Sequence, residues 1–183
     1  RKAIKNLKMS VKLNPGFYES HKVLGELFLK TSSYQNAKRE IEKALKLQKN
    51  DPILYLMLGE VHFRTNQESE GIKAFKKATE LFPENFQAQI RLANWYYQKG
   101  SLDESFRYYR IAESLEPKSA EVYNRLGKIY LERKQKEKAR DSFQKAVKLD
   151  TKDSESKYQL ALILLKEEKW DQAYMHLNSA SKL

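Results

Sequence analysis

Three histidines, His21, His62 and His176, are the side chains of this 183-residue chain best suited to acid–base work or to metal binding. Either role needs a second group at a matching spacing, such as a further histidine one helical turn away. None of the three has such a partner on its own helix, so all three read as structural. The chain has no cysteine, which excludes disulfides, thiolate metal sites and cysteine nucleophiles. Its six glycines fall at turns or in columns of small residues and form no phosphate-cradling loop. Caps and solvated faces account for the serines, aspartates and glutamates. The residues therefore point to no enzyme, no cofactor and no metal.

What stands out is basic charge: 35 Lys and Arg against 24 Asp and Glu, a net +11. Arg1, Lys5, Lys8 and Lys12 share one helical face, and a run from Arg133 to Arg140 spans a turn. Such faces can track RNA phosphates, contact an anionic membrane or act as a localisation signal. The simpler assignment, a solvated outer face, is preferred, since Glu132, Glu137 and Asp141 interrupt the second run.

Composition bounds the scaffold. Apolar residues make up 40% and charged residues 32%, too apolar for disorder, and only four prolines and six glycines argue against a turn-rich β fold. The longest apolar run, Leu160 to Leu165, is far short of the roughly 18 residues a membrane helix needs. No secretory pattern opens the chain. Because the first residue is not Met, an upstream leader or anchor stays open.

Pro15, Pro83 and Pro117 are spaced by 68 and 34 residues, and 34 proves to be a period. One column is Leu24, Leu58, Leu92, Leu126 and Leu160, followed at once by a small one, Gly25, Gly59, Ala93, Gly127 and Ala161. Two more small columns run from Ala3 to Ala173 and from Ser10 to Ala180. Between them lies a bulky column, Leu7, Ile41, Phe75, Tyr109, Phe143 and Leu177, and a last column is leucine from Leu13 to Leu183. The register needs no gap.

Apolar residues recur every three or four positions within each period, which predicts two amphipathic helices per repeat. First helices are expected over 18–31, 52–65, 86–99, 120–133 and 154–167, with partners over 34–47, 68–81, 102–115, 136–149 and 170–183. Asp51-Pro52 marks an N-cap before proline at the first helical position, and Ser101 to Glu104 reads as a capping box. Gly71 inside a helix should cost about 1 kcal/mol relative to alanine. No helix pair has enough apolar face to stand alone, so neighbours must stack around a shared core.

These columns resemble the tetratricopeptide repeat family. Tyr123, Leu126-Gly127 and Tyr130, then Ala139, Phe143 and Ala146, lie close to that family's full pattern within one repeat. The resemblance implies an all-α, right-handed α-solenoid of stacked antiparallel helix pairs, a TPR superhelix. It covers the chain as a single solenoid segment, 1–183. Residues 1–17 are the second helix of a partial repeat, and five repeats follow at 18–51, 52–85, 86–119, 120–153 and 154–183. Departures are mild: His21, Gln89 and Lys157 occupy a usually aromatic column, and His62 replaces Tyr or Phe. The greasy final pair, Leu160 to Leu165 and then Trp170, is expected to continue into further chain or to self-associate.

The family's usual work is to hold peptides or partner proteins, without chemistry of its own, in a concave groove lined by first helices. In this register the first helices also present Val23, Ile53, Leu131, Tyr158, Gln159 and Leu162. The expected partner-binding residues form two zones. Leu56, Met57, Phe63 and Ile90 make an apolar floor, with Met suited to varied ligands. Arg91, Asn94, Tyr97, Asn124, Arg125 and Lys128 make a polar, basic zone able to fork onto carboxylates and bond a peptide backbone. The expected ligand is a protein or peptide segment with an apolar anchor beside an acidic group. Chaperone C-terminal tails are not expected, because Glu26, Met57 and Gln87 stand where that family clamp needs Asn and Lys. The alternatives are RNA or membrane lipid on the basic faces, and self-association through the ends. No compartment follows: the cytoplasm is favoured, while a bacterial periplasm or an anchor in missing segments also fits.

Overall fold

A computed structural model describes residues 2–181. Arg1 and Leu183, members of the basic N-terminal face and of the last leucine column, lie outside the described residues, and of Ala3 only the backbone is described. Among the described residues there are eleven α-helices and no strand. They are α1 (Lys2–Leu13), α2 (Tyr18–Lys30), α3 (Tyr34–Leu47), α4 (Pro52–Arg64), α5 (Glu68–Leu81), α6 (Phe86–Gln98), α7 (Leu102–Leu115), α8 (Ala120–Glu132), α9 (Lys136–Leu149), α10 (Ser154–Lys166) and α11 (Trp170–Ser181). The ten helices from α2 onward start where the periodicity predicts. The first helices end one residue early, because the turn that follows them has its own geometry.

That turn is the same in every repeat. Ser32, Asn66, Gly100, Lys134 and Glu168, spaced by the 34-residue period, all have positive φ. The residue after each donates its N–H five residues back: Ser33 to Phe28, Gln67 to His62, Ser101 to Tyr96, Gln135 to Tyr130 and Lys169 to Leu164. This is the Schellman closure of a helix C-terminus, which satisfies carbonyls that the helix leaves open. It also explains why the Ser101–Glu104 capping box does not form. The Ser101 N–H that Glu104 would have to bind is already held by the Tyr96 carbonyl at 2.9 Å, and the Ser101 side chain makes no cap bond. Caps by side chains occur instead on first helices: Asp51 accepts from Ile53 N–H at 2.8 Å, Ser119 from Val122 at 3.4 Å and Asp153 from Ser156 at 3.0 Å.

The chain forms two compact units, Arg1–Leu92 and Ala93–Leu183. In the first, α2 packs on α3 and α4 on α5, and the pairs stack through α3 and α2 against α4. Leu24, Phe28, Ile41, Leu54, Met57 and Val61 fill the core with Ala37 and Ala44, and Ile4, Leu7 and Val11 of α1 pack against it. Asp51 ties this stack together: its Oδ2 accepts from Lys22 Nζ at 2.8 Å and from the Tyr18 hydroxyl. In the second unit α8 packs on α9 and α10 on α11, with α7 against α8 and α9 against α10. Phe143, Leu160, Ile163 and Leu164 form the core with Ala139, Ala161 and Ala173. Small columns face bulky ones, as the register requires. A Cβ on Gly127 would lie 2.7 Å from the Phe143 ring.

Candidate functional site

The histidines are engaged separately. His21 is buried between the Glu40 carboxylate, 2.6 Å from Nδ1, and the Pro15 carbonyl, 3.0 Å from Nε2. His62 Nδ1 meets Gln67 Oε1 at 2.7 Å. His176 is half-buried, and burial lowers its pKa, with Lys157 adding to the effect. Among the described residues no cluster of three or more His, Cys, Asp or Glu could hold a metal ion. No helix there is long and apolar enough to cross a membrane.

In the first unit half of the apolar zone is internal, and Leu56 and Phe63 are half-buried. Met57 is only 9% exposed and Ile90 5%. The Phe63 ring is stacked on Phe75 with centroids 5.4 Å apart. Leu56 is half-buried, while Val23 and Ile53 stand exposed. Val23 and Ile53 are thus the exposed large apolar side chains of α2 and α4, with Leu56 half-buried among others. Periodicity marked the first two as outward-facing, although not as part of the site. Arg91 is exposed and ion-paired with Glu60 at 3.2 Å, and Glu60 also receives Arg64 at 3.0 Å.

The second unit holds the polar residues in three states of engagement. Asn124 is drawn inward: it is buried and donates to Ser156 Oγ at 2.8 Å, which in turn donates to Asp153 at 2.5 Å. Asn94 is half-buried and accepts from the Tyr109 hydroxyl at 2.5 Å. Burial raises the pKa of that phenol well above the usual range, which keeps it a donor. Lys128 pairs with Glu155 at 3.2 Å. A hydrogen bond from Gln159 holds the Glu155 carboxyl below its usual pKa; burial opposes this and Lys128 reinforces it. Burial pushes the Tyr97 phenol up, Glu132 adds to the rise and Arg125 counters it. Arg125 itself is half-buried and has no ion-pair or hydrogen-bond partner among the described residues. Tyr158 of α10 is 47% exposed. An unpaired guanidinium, a partly exposed amide and two phenols on these helices can hold carboxylates and peptide groups.

Much of the basic run is occupied within the unit. Arg133 pairs with Asp103 at 2.5 Å and lies over the Phe106 ring, and Arg140 and Lys136 both reach Glu167.

Repeated antiparallel helix pairs with this turn and packing define an all-α solenoid. Tetratricopeptide-repeat profiles match residues 22–85, 93–133 and 120–153. The chain belongs to the tetratricopeptide repeat family, whose general role is protein–protein interaction. MamA (41-end) from Desulfovibrio magneticus RS-1 is similar in fold, with TM-score 0.78 and 21% identity over 91% of this chain and 94% of that one. YrrB gives 0.79 and 17% over 95% and 90%, and Pseudomonas aeruginosa PilF gives 0.77 and 19% over 90% and 75%. No curated protein matches the sequence.

Proposed function

We propose that this chain is a noncatalytic adaptor that holds a partner protein or extended peptide against the exposed strips of its first helices. The observation that carries this reading is Arg125, a half-buried guanidinium on α8 without an ion-pair partner, within electrostatic reach of Tyr97. Leaving such a cation unpaired in a folded chain suits an acidic ligand that completes it, since charge-assisted forks are the stronger hydrogen bonds. In the first unit, Val23, Ile53 and Leu56 supply apolar surface, and Arg91, exposed and paired only with Glu60, supplies a cation. YrrB, similar in fold, is a TPR protein with an unusual peptide-binding site. Pull-down from nuclease-treated lysate, with wild type beside Arg125→Glu and Arg91→Glu, tests the reading. Prey lost with either variant supports it, and an identical prey set in all three contradicts it.

Association through α11 is a second reading, favoured by Trp170, Tyr174 and Met175, which are 63%, 69% and 70% exposed on one helix. Exposed aromatics at this density mark contact surfaces. Sedimentation velocity over a concentration series tests it: Trp170→Lys with Tyr174→Lys should abolish any concentration dependence, and a monomeric wild type contradicts it.

A further inference from the structure

A cleft of about 300 Å³ lies between the C-terminal turns of α8 and α10. Its floor is aliphatic, made by Leu131, Leu162 and Ile163, and its rim carries Lys134, Lys136 and Lys166. The rim is built rather than loose at Lys134, whose N–H donates to the Leu131 carbonyl at 2.9 Å in the positive-φ turn. The ammonium groups of Lys134 and Lys166 have no ion-pair or hydrogen-bond partner among the described residues. Lys136 stands 3.7 Å from Glu167, but that carboxylate is shared with Arg140 at 3.2 Å and Lys169 at 2.9 Å, so the cleft mouth stays positive.

We propose that this cleft seats an apolar side chain of a partner peptide whose flanking residues are aspartate or glutamate. The inference rests on the adaptor reading and names the chemistry of the ligand. An aliphatic floor rewards an apolar side chain in proportion to the area it buries, and the lysine rim selects carboxylates around it. No aromatic ring lines the cleft, so it lacks the stacking platform that single-stranded RNA uses.

The test is backbone amide NMR on the isotope-labelled 183-residue chain, titrated with short synthetic peptides. One has a leucine between aspartates, a second the same leucine between lysines, and a third a serine between aspartates. An oligouridylate is the fourth probe. The aspartate–leucine peptide should move the amides of Leu131, Lys134, Gln159 and Lys166, and should bind about tenfold or more tighter than either control peptide. Lys134→Glu with Lys166→Glu should weaken it at least about tenfold while leaving the rest of the spectrum unchanged. Shifts confined to the surroundings of Arg125 or Arg91 overturn the cleft and leave the adaptor reading standing. Shifts confined to α11 and to α9 beyond its first turn overturn both. Tighter binding of the oligouridylate at the cleft overturns the peptide in favour of nucleic acid, and no shift at millimolar peptide overturns the proposal outright.

Discussion

The Phe75 ring fills the space into which a Cβ on Gly59 would project, 2.4 Å from the nearest ring carbons. The two residues belong to columns 16 apart in the repeat, and the same opposition recurs between Gly127 and Phe143. Helix axes approach this closely only because the small column leaves room for the bulky one. Helix propensity alone favours alanine by about 1 kcal/mol, so propensity and packing give opposite signs. Gly59→Ala and Gly127→Ala should each lose about 1–3 kcal/mol by overpacking, read as a lower urea midpoint. A gain in stability would show that the rings yield freely.

Gly71 corrects an expectation. The sequence treats it as a helix defect, yet a Cβ there would meet the Phe63 ring at 2.4 Å. Phe63 is held by its stack on Phe75. Gly71→Ala should therefore fail to recover the stability that propensity promises, and a rise of about 1 kcal/mol in thermal or urea unfolding would contradict this.

The positive-φ turns make a prediction of the opposite sign. Glu168 has φ 58°, where an L side chain costs roughly 1 kcal/mol, whereas Gly100 fills the equivalent place at φ 75° without that cost. Glu168→Gly should stabilise by about 0.5–1 kcal/mol and Gly100→Ala should destabilise by a similar amount. Equal midpoints for both variants and wild type would mean that the turn relaxes.

Asp51 governs acid stability. Burial disfavours its charged form, but hydrogen bonds from Lys22, Tyr18 and the Ile53 N–H prevail and hold the carboxyl below its ordinary 3.8. A folded value below the unfolded one adds stability that is complete above the ordinary value and lost as pH falls through the folded value. Glu40 behaves alike: burial works against its charge, while His21 and Lys43 lower its pKa below 4.5. Denaturation midpoints measured from about pH 5 to pH 2 should fall steadily, and Lys22→Met should flatten part of that fall. Asp51→Ala should cost about 2 kcal/mol at neutral pH by removing the cap and stranding Lys22 and Tyr18.

The 34-residue columns carried the helices, their pairing and the outward faces, because a core built from repeats writes its contacts at fixed offsets. Offsets alone could not reveal that Asn124 turns inward, since its partner Ser156 lies 32 residues on, one repeat away. Met57 is likewise claimed by the core of its unit, where its Cε would lie 3.4 Å from a Cβ on Gly25. The left-handed turn at Lys134 is not announced by lysine itself, which has no preference for that conformation, and only the equivalent Asn66 and Gly100 point to it. Val23 and Ile53 were visible as outward-facing apolar residues; what the periodicity could not supply was their exposure beside the burial of Met57 and Ile90.

Hydrogen–deuterium exchange on the chain bound to a partner captured through Arg125 tests the central claim most directly. The adaptor reading predicts added protection on first helices, in α8 and α10 or in α2 and α4, with α9 and α11 unchanged. Protection confined to the second helices would place the partner on the other face and contradict it.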